Sequence, residues 1–180
     1  NWLVVFSGEQ GMQCCPEEHR FVVRVSPAGA VLDNPPIRID AVATFDNYWP
    51  PAVGSDGVNW LVVGMDRSLD GSFVVRGLRI GPDGTILDPA GVVLASGGYP
   101  GDFDVVFSAG QYFLVWADGG MTSGGRILGQ RLSRELAPIG ELTLIEQIGH
   151  LEEAGLFGDL LDRITAIAED PLVAVDVGDG

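Results

Sequence analysis

The sequence has two cysteines, two histidines and no long hydrophobic run, and each shortage removes a class of function. Cys14 and Cys15 are adjacent. Adjacent cysteines cannot staple distant segments, and a vicinal disulfide is strained. With His19 they resemble half of a soft-metal site, but no further Cys or His stands nearby. Two free thiols in a long hairpin loop are the plainer reading. His19 falls in that loop and His150 in a helical-looking segment, so no His-based nucleophile pair is assembled. There is no Gly-x-Ser-x-Gly elbow, and no phosphate-binding Gly loop carries a Lys. No stretch approaches the roughly twenty apolar residues of a membrane span. The apolar start, Asn1 to Phe6, has no basic region ahead of it and no cleavage pattern after it. It does not read as a signal peptide, and the chain reads as an excerpt or a processed product. Basic residues are also few, 10 against 25 acidic, for a net charge of -15. That field repels phosphate backbones and excludes nucleic acid as a partner. It would attract cations and basic ligands, although solubility alone accounts for it.

What the sequence does contain is repetition. Hydrophobic residues make up 46% of 180 residues, with Gly 26 and Pro 11, which is the composition of a globular chain of short strands and tight turns. Asn1-Trp2-Leu3-Val4-Val5 recurs as Asn59-Trp60-Leu61-Val62-Val63, and more loosely as Gln111-Tyr112-Phe113-Leu114-Val115-Trp116. A second motif follows each copy. Arg24-Val25-Ser26-Pro27-Ala28-Gly29-Ala30-Val31-Leu32-Asp33 matches Arg79-Ile80-Gly81-Pro82-Asp83-Gly84-Thr85-Ile86-Leu87-Asp88, and a worn copy begins at Arg131-Leu132-Ser133. Two motifs repeating together at a period of roughly fifty residues mark a repeat architecture. The first motif reads as a strand buried on both faces. In the second, Pro sets φ for a turn and Gly takes its left-handed position.

One whole unit reads from Pro51 to Ser96, with strands near Ala52–Gly54, Asn59–Val63, Phe73–Ile80 and Gly91–Ala95. Four antiparallel strands make a propeller blade. The next unit runs from about Asp102 to Ile145, and the first lacks its first strand. The expected fold is all-β: about three propeller-like, four-stranded antiparallel blades in an incomplete ring, over residues 1–146, with blade boundaries near 47 and 98. A short helical C-terminal appendage is expected over 147–180. There Ile148, Leu151, Leu156, Leu160, Leu161, Ile164 and Ile167 fall at helical spacing, and Pro171 ends the pattern.

This Trp-Leu-Val-Val … Arg-Ile-x-Pro-x-Gly-x-Ile-Leu-Asp pattern resembles the tandem propeller-type repeats of large bacterial, mostly exported, proteins. The resemblance covers roughly residues 1 to 146. It implies blade architecture and an extracellular or periplasmic setting, and it says almost nothing about function, since such blades scaffold many sites. Closed propellers use four to eight blades. Further blades of a longer chain, a second copy, or the C-terminal segment are the expected covers for the open edges.

Two groups of residues are candidate sites. Asp66, Ser68 and Asp70, followed by Gly71, present oxygens at alternate positions like the opening half of a calcium loop. The closing Glu is missing, since the twelfth position is Gly77, and an Asp capping a hairpin turn is the alternative. Calcium is therefore the one cofactor the pattern suggests. Asp46, Tyr48 and Trp49 lie in the connection between the first two blades, where aromatics beside a carboxylate can stack on a sugar or grip a peptide. Inter-blade packing is the alternative for them. Acidic residues are plentiful enough to hide a carboxylate pair for glycoside hydrolysis, but Asp in turns explains them better. The expected function is a non-enzymatic binding or scaffold module with a protein or glycan ligand. The alternative is the non-catalytic part of an exported hydrolase or lyase propeller.

Overall fold

Trp60-Leu61-Val62-Val63 shows how this sequence becomes sheet: all four side chains are buried, with Trp60 and Val62 on one face and Leu61 and Val63 on the other. Only a strand with a packed layer on both sides buries successive residues in this way. A computed structural model of the protein describes residues 1–10, 17–40, 50–67, 70–119 and 125–147. Among these the fold is all-β and contains no helix.

Eleven strands form three antiparallel sheets. The first sheet holds β1 (Trp2–Gln10), β2 (Glu17–Val25) and β3 (Ile37–Arg38), in that order. The second runs β4 (Ala52–Ser55), β5 (Trp60–Arg67), β6 (Phe73–Ile80) and β7 (Val92–Ser96). The third holds β8 (Pro100–Ser108), β9 (Gln111–Asp118), β10 (Arg126–Leu132) and β11 (Pro138–Gln147). Strands neighbouring in sequence are neighbours in each sheet, so each is an up-and-down, propeller-like blade. The expected unit from Pro51 to Ser96 is the second sheet, and β6 occupies the expected Phe73–Ile80. Two boundaries differ. β5 continues to Arg67, through residues expected to form a loop, and β2 starts at Glu17, so His19 lies on a strand. The helical segment expected over 147–180 lies outside the described residues, apart from the end of β11.

The sheets stack face to face, and the register shows how. Val62 pairs with Leu78 and Trp60 with Ile80, so these four share one face of the second sheet. They pack with Val22 and Ile39 of the first sheet, against Leu3, Val5 and Ile37. The opposite face of the second sheet carries Leu61, Val63, Met65 and Val75. It packs on Tyr112, Leu114, Trp116 and Leu128 of the third. Each sheet therefore offers its Leu3/Leu61 face to the next sheet and its Trp60/Tyr112 face to the one before.

Small residues permit the close approach. A Cβ on Gly54 would lie 3.0 Å from the carbonyl oxygen of Val105 in the third sheet. Within the second sheet, Gly77, which pairs with Val63, leaves room for Leu94 of β7, whose methyl would lie 2.8 Å from a Cβ there.

Candidate functional site

The polar feature that recurs in the structure is an arginine clamp at each junction between sheets. Arg24 ends β2 on the face turned to the second sheet. Its Nε and Nη2 donate to the Asp33 carboxylate, Nη2 at 2.6 Å, and its backbone N–H donates to the same group at 2.6 Å. The remaining donor, Nη1, crosses to the second sheet and donates to the Pro82 carbonyl at 2.5 Å. The next junction repeats this atom for atom. Arg79 donates from Nε (2.9 Å), Nη2 (2.8 Å) and its backbone N–H (2.9 Å) to Asp88, and from Nη1 (2.9 Å) to the carbonyl of Arg134 in the third sheet. Pro82 stands three residues after Arg79, and Arg134 three residues after Arg131. The clamp is thus one device used twice, and it joins the two ends of the repeated motif to the turn of the next blade. The fork geometry of arginine suits it, because one edge holds a carboxylate while another nitrogen stays free for a carbonyl.

A third bond locks the second junction. Arg134 donates back to the Asp56 carboxylate at 3.1 Å and lies over the Phe107 ring, 4.5 Å from its centroid. Asp56 also accepts the backbone N–H groups of Val58 (2.8 Å) and Asn59 (2.6 Å), which closes the β4–β5 turn. Burial works against ionisation of Asp56, but these N–H donors and the Arg134 cation outweigh it and hold its carboxyl below the usual range. Asp33 is held low first by its hydrogen bonds from Arg24. For Asp88 burial again opposes, and Arg79 prevails.

The candidate calcium residues meet different fates. Asp66 is buried near the end of β5, where it accepts the Nε–H of Arg76 and the backbone N–H of Arg67. Asp118, at the matching end of β9, is likewise buried and accepts from Arg126 and from the Tyr99 backbone N–H. Asp70 accepts both the backbone N–H (2.9 Å) and the hydroxyl (2.7 Å) of Ser72, which caps a turn. Ser68 lies outside the described residues. Among the described residues no three His, Cys, Asp or Glu side chains converge as a metal-holding group. Asp46, Tyr48 and Trp49 of the aromatic connection, and Cys14 and Cys15, also lie outside the described residues.

His19 is the one histidine described. It is buried on β2 with Nδ1 2.7 Å from Asp40, and Arg38 donates to the same carboxylate at 2.8 Å. This pair ties β2 to the end of β3. Nearby, the buried Arg20 donates from Nη1 to Ser7 across the β1–β2 pair, while its Nε has no acceptor among the described residues.

One large surface is apolar. Trp2, Val4 and Phe6 alternate along β1 on the face turned away from the second sheet, and they are 56%, 45% and 36% exposed. Their counterparts in the repeat are Trp60 and Val62 in the second sheet and Tyr112 and Leu114 in the third, all buried in junctions.

Sequence reasoning found the Arg and Asp ends of the repeated motif without seeing that they bond. The signal was the fixed nine-residue spacing, from Arg24 to Asp33 and from Arg79 to Asp88. No protein-family model matches the chain, and a search of curated proteins returns no match.

Proposed function

We propose that this chain is a non-enzymatic scaffold or binding module built of propeller-like blades, exported to an extracellular or periplasmic setting. The observation that carries this reading is the use made of its charged side chains. Arg24, Asp33, Asp56, Arg79, Asp88 and Arg134 are spent on holding one blade to itself or to the next. Catalytic carboxylates need their lone pairs facing a substrate, and these face arginines and backbone N–H groups. The setting rests on the resemblance of the repeats to those of exported bacterial proteins.

The ligand class that fits an acidic module with aromatic connections is a protein or a glycan. The test is a screen of the full chain on glycan and peptide arrays, run beside a panel of glycoside, ester and polysaccharide substrates. Binding without turnover is expected. Turnover that copurifies with the chain and disappears when one of its own carboxylates is replaced would overturn the reading.

Calcium has no necessary part in this proposal, since Asp66 and Asp70 already hold Arg76 and Ser72. A melting temperature unchanged between excess calcium and excess chelator is expected. A rise with calcium that Asp70→Ala abolishes would assign the loop to the metal.

A further inference from the structure

We propose that the junction between the first and second sheets binds a small organic carboxylate, held by the guanidinium of Arg20. This deepens the binding-module reading by naming a site and a ligand class, and it rests on that reading in treating the carboxylate as bound and not turned over.

The repeat shows that this junction departs from its neighbour. Met65 pairs with Val75 across β5 and β6, and both are buried against the third sheet. Ser7 stands five residues past Trp2, as Met65 stands past Trp60, and Arg20 stands four residues before Arg24, as Val75 stands before Arg79. Ser7 and Arg20 are also a cross-strand pair. Alternation puts Arg20 on the face of Val22 and Arg24, which is turned to the second sheet. On the facing side, Gly64 pairs with Arg76 next to Val62 and Leu78. The corresponding pair in the third sheet is Trp116 with Leu128, both buried. The first junction is therefore small and polar at a level where the second is bulky and apolar.

Arg20 is a buried cation without an anion. It is 6% exposed, its Nη1 donates to the Ser7 hydroxyl, and its buried Nε has no acceptor among the described residues. The carboxylates of Asp33 and Asp66 at this junction are held by Arg24 and Arg76. A buried charge supported by one neutral hydrogen bond is costly, and a partner of opposite charge removes that cost. Arg24 and Arg79 show which edge of the fork takes such a partner. Each grips a carboxylate with Nε and Nη2 and sends Nη1 to a neutral oxygen. Arg20 also sends Nη1 to a neutral oxygen, so its Nε edge is the one that matches a planar carboxylate. The burial of Arg20 requires a slender ligand, and a net charge of -15 disfavours a polyanion.

Thermal unfolding of the full chain in sodium chloride, acetate, D-glucuronate and sulfate, at one ionic strength of about 0.15 M, tests the site. Acetate or D-glucuronate is expected to raise the melting temperature over chloride, with a dissociation constant on the order of 1 mM that calorimetric titration also reads. The stronger of the two tells an acyclic acid from an acidic sugar. Arg20→Met is expected to bind either at least tenfold more weakly, roughly the loss of one charged anchor. In chloride it is expected to melt no lower than the unsubstituted chain, because an apolar pair fills the same level of the next junction. The double variant Ser7→Met, Arg20→Val copies that pair and is expected to fold and to ignore carboxylates, which keeps the test open if Arg20→Met does not fold. No rise with either carboxylate would overturn the proposal. So would a rise that the variants retain, or one that sulfate gives equally. Variants that melt lower in every salt alike would also overturn it, since Arg20 then serves the fold through a partner of its own. The array screen and substrate panel read the module as a whole, so turnover there and a missing carboxylate response here are separate failures.

Discussion

Tyr112 and Trp60 hold the same place in the repeat, and the difference between them is one hydroxyl and its cost. Tyr112 is wholly buried in the junction between the second and third sheets, and its hydroxyl has only a weak approach from the Asp56 backbone N–H, with no full hydrogen bond among the described residues. Burial pushes its phenol up to about 12, with the nearby Asp56 carboxylate adding to the shift. A buried hydroxyl without a partner costs stability that a ring alone would not. Tyr112→Phe is therefore expected to leave the urea midpoint unchanged or raise it. A loss above about 1 kcal/mol would show that the hydroxyl holds a bond. Gly84 argues in the other direction. It sits at φ 89° in the Pro-Asp-Gly turn, and a Cβ there would lie 2.9 Å from Ile37 and 3.2 Å from Arg24 of the first sheet. Gly84→Ala is expected to cost about 1–2 kcal/mol from the left-handed backbone alone, with the crowded junction adding to it. Gly57→Ala, also at positive φ but with open space around it, is the control that isolates the backbone share.

Among the elements, the strand–turn unit that carries each clamp sets the response to pH. Asp33, Asp56 and Asp88 all have folded-state pKa values below their unfolded ones. A lowered carboxyl pKa contributes stability that is present above the unfolded value, near 3.9, and is lost as pH falls through the folded value. Denaturant midpoints are expected to hold level from neutral pH to about pH 5, then fall below about pH 4. Asp88→Asn removes the charge that Arg79 grips. It is expected to cost about 1–3 kcal/mol at pH 7 and to flatten the acid slope, because one linked proton is gone. An equal loss at pH 7 and pH 3 would contradict a role for the ion pair.

The same elements show what was legible in the sequence. β6 was, because Phe73–Ile80 is bounded by a loop and by a Pro-Asp-Gly turn that cannot continue a strand. The end of β5 was not. Met65-Asp66-Arg67 reads as loop because a buried Asp is costly, and the arginine that offsets the cost stands ten residues on, across the hairpin. His19 was misplaced for the same reason, since its partner Asp40 lies 21 residues away. The clamps were visible as spacing but not as bonds, because their acceptors Pro82 and Arg134 are backbone carbonyls, which carry no sequence signature. The candidate calcium residues were legible as oxygen donors, and the structure shows Asp66 accepting from Arg76 and Asp70 from Ser72, partners that the sequence order does not reveal for Asp66.

At the scale of the whole molecule, the second sheet belongs to two of the three hydrophobic clusters of the described residues, because β5 and β6 send alternate residues to opposite sides. Repeat arrays gain their stability from such nearest-neighbour interfaces, so sheets that share a central member open together. The sheets are thus one stacked unit and not three separate hairpin modules. Native-state hydrogen exchange of the full chain tests it most directly. The slowest amides of β5 and β6 and those of β9 and β10 are expected to exchange through one opening of the same free energy, with β1, whose outer face is exposed, exchanging faster. Two well-separated opening free energies, one for the second sheet and one for the third, would contradict it.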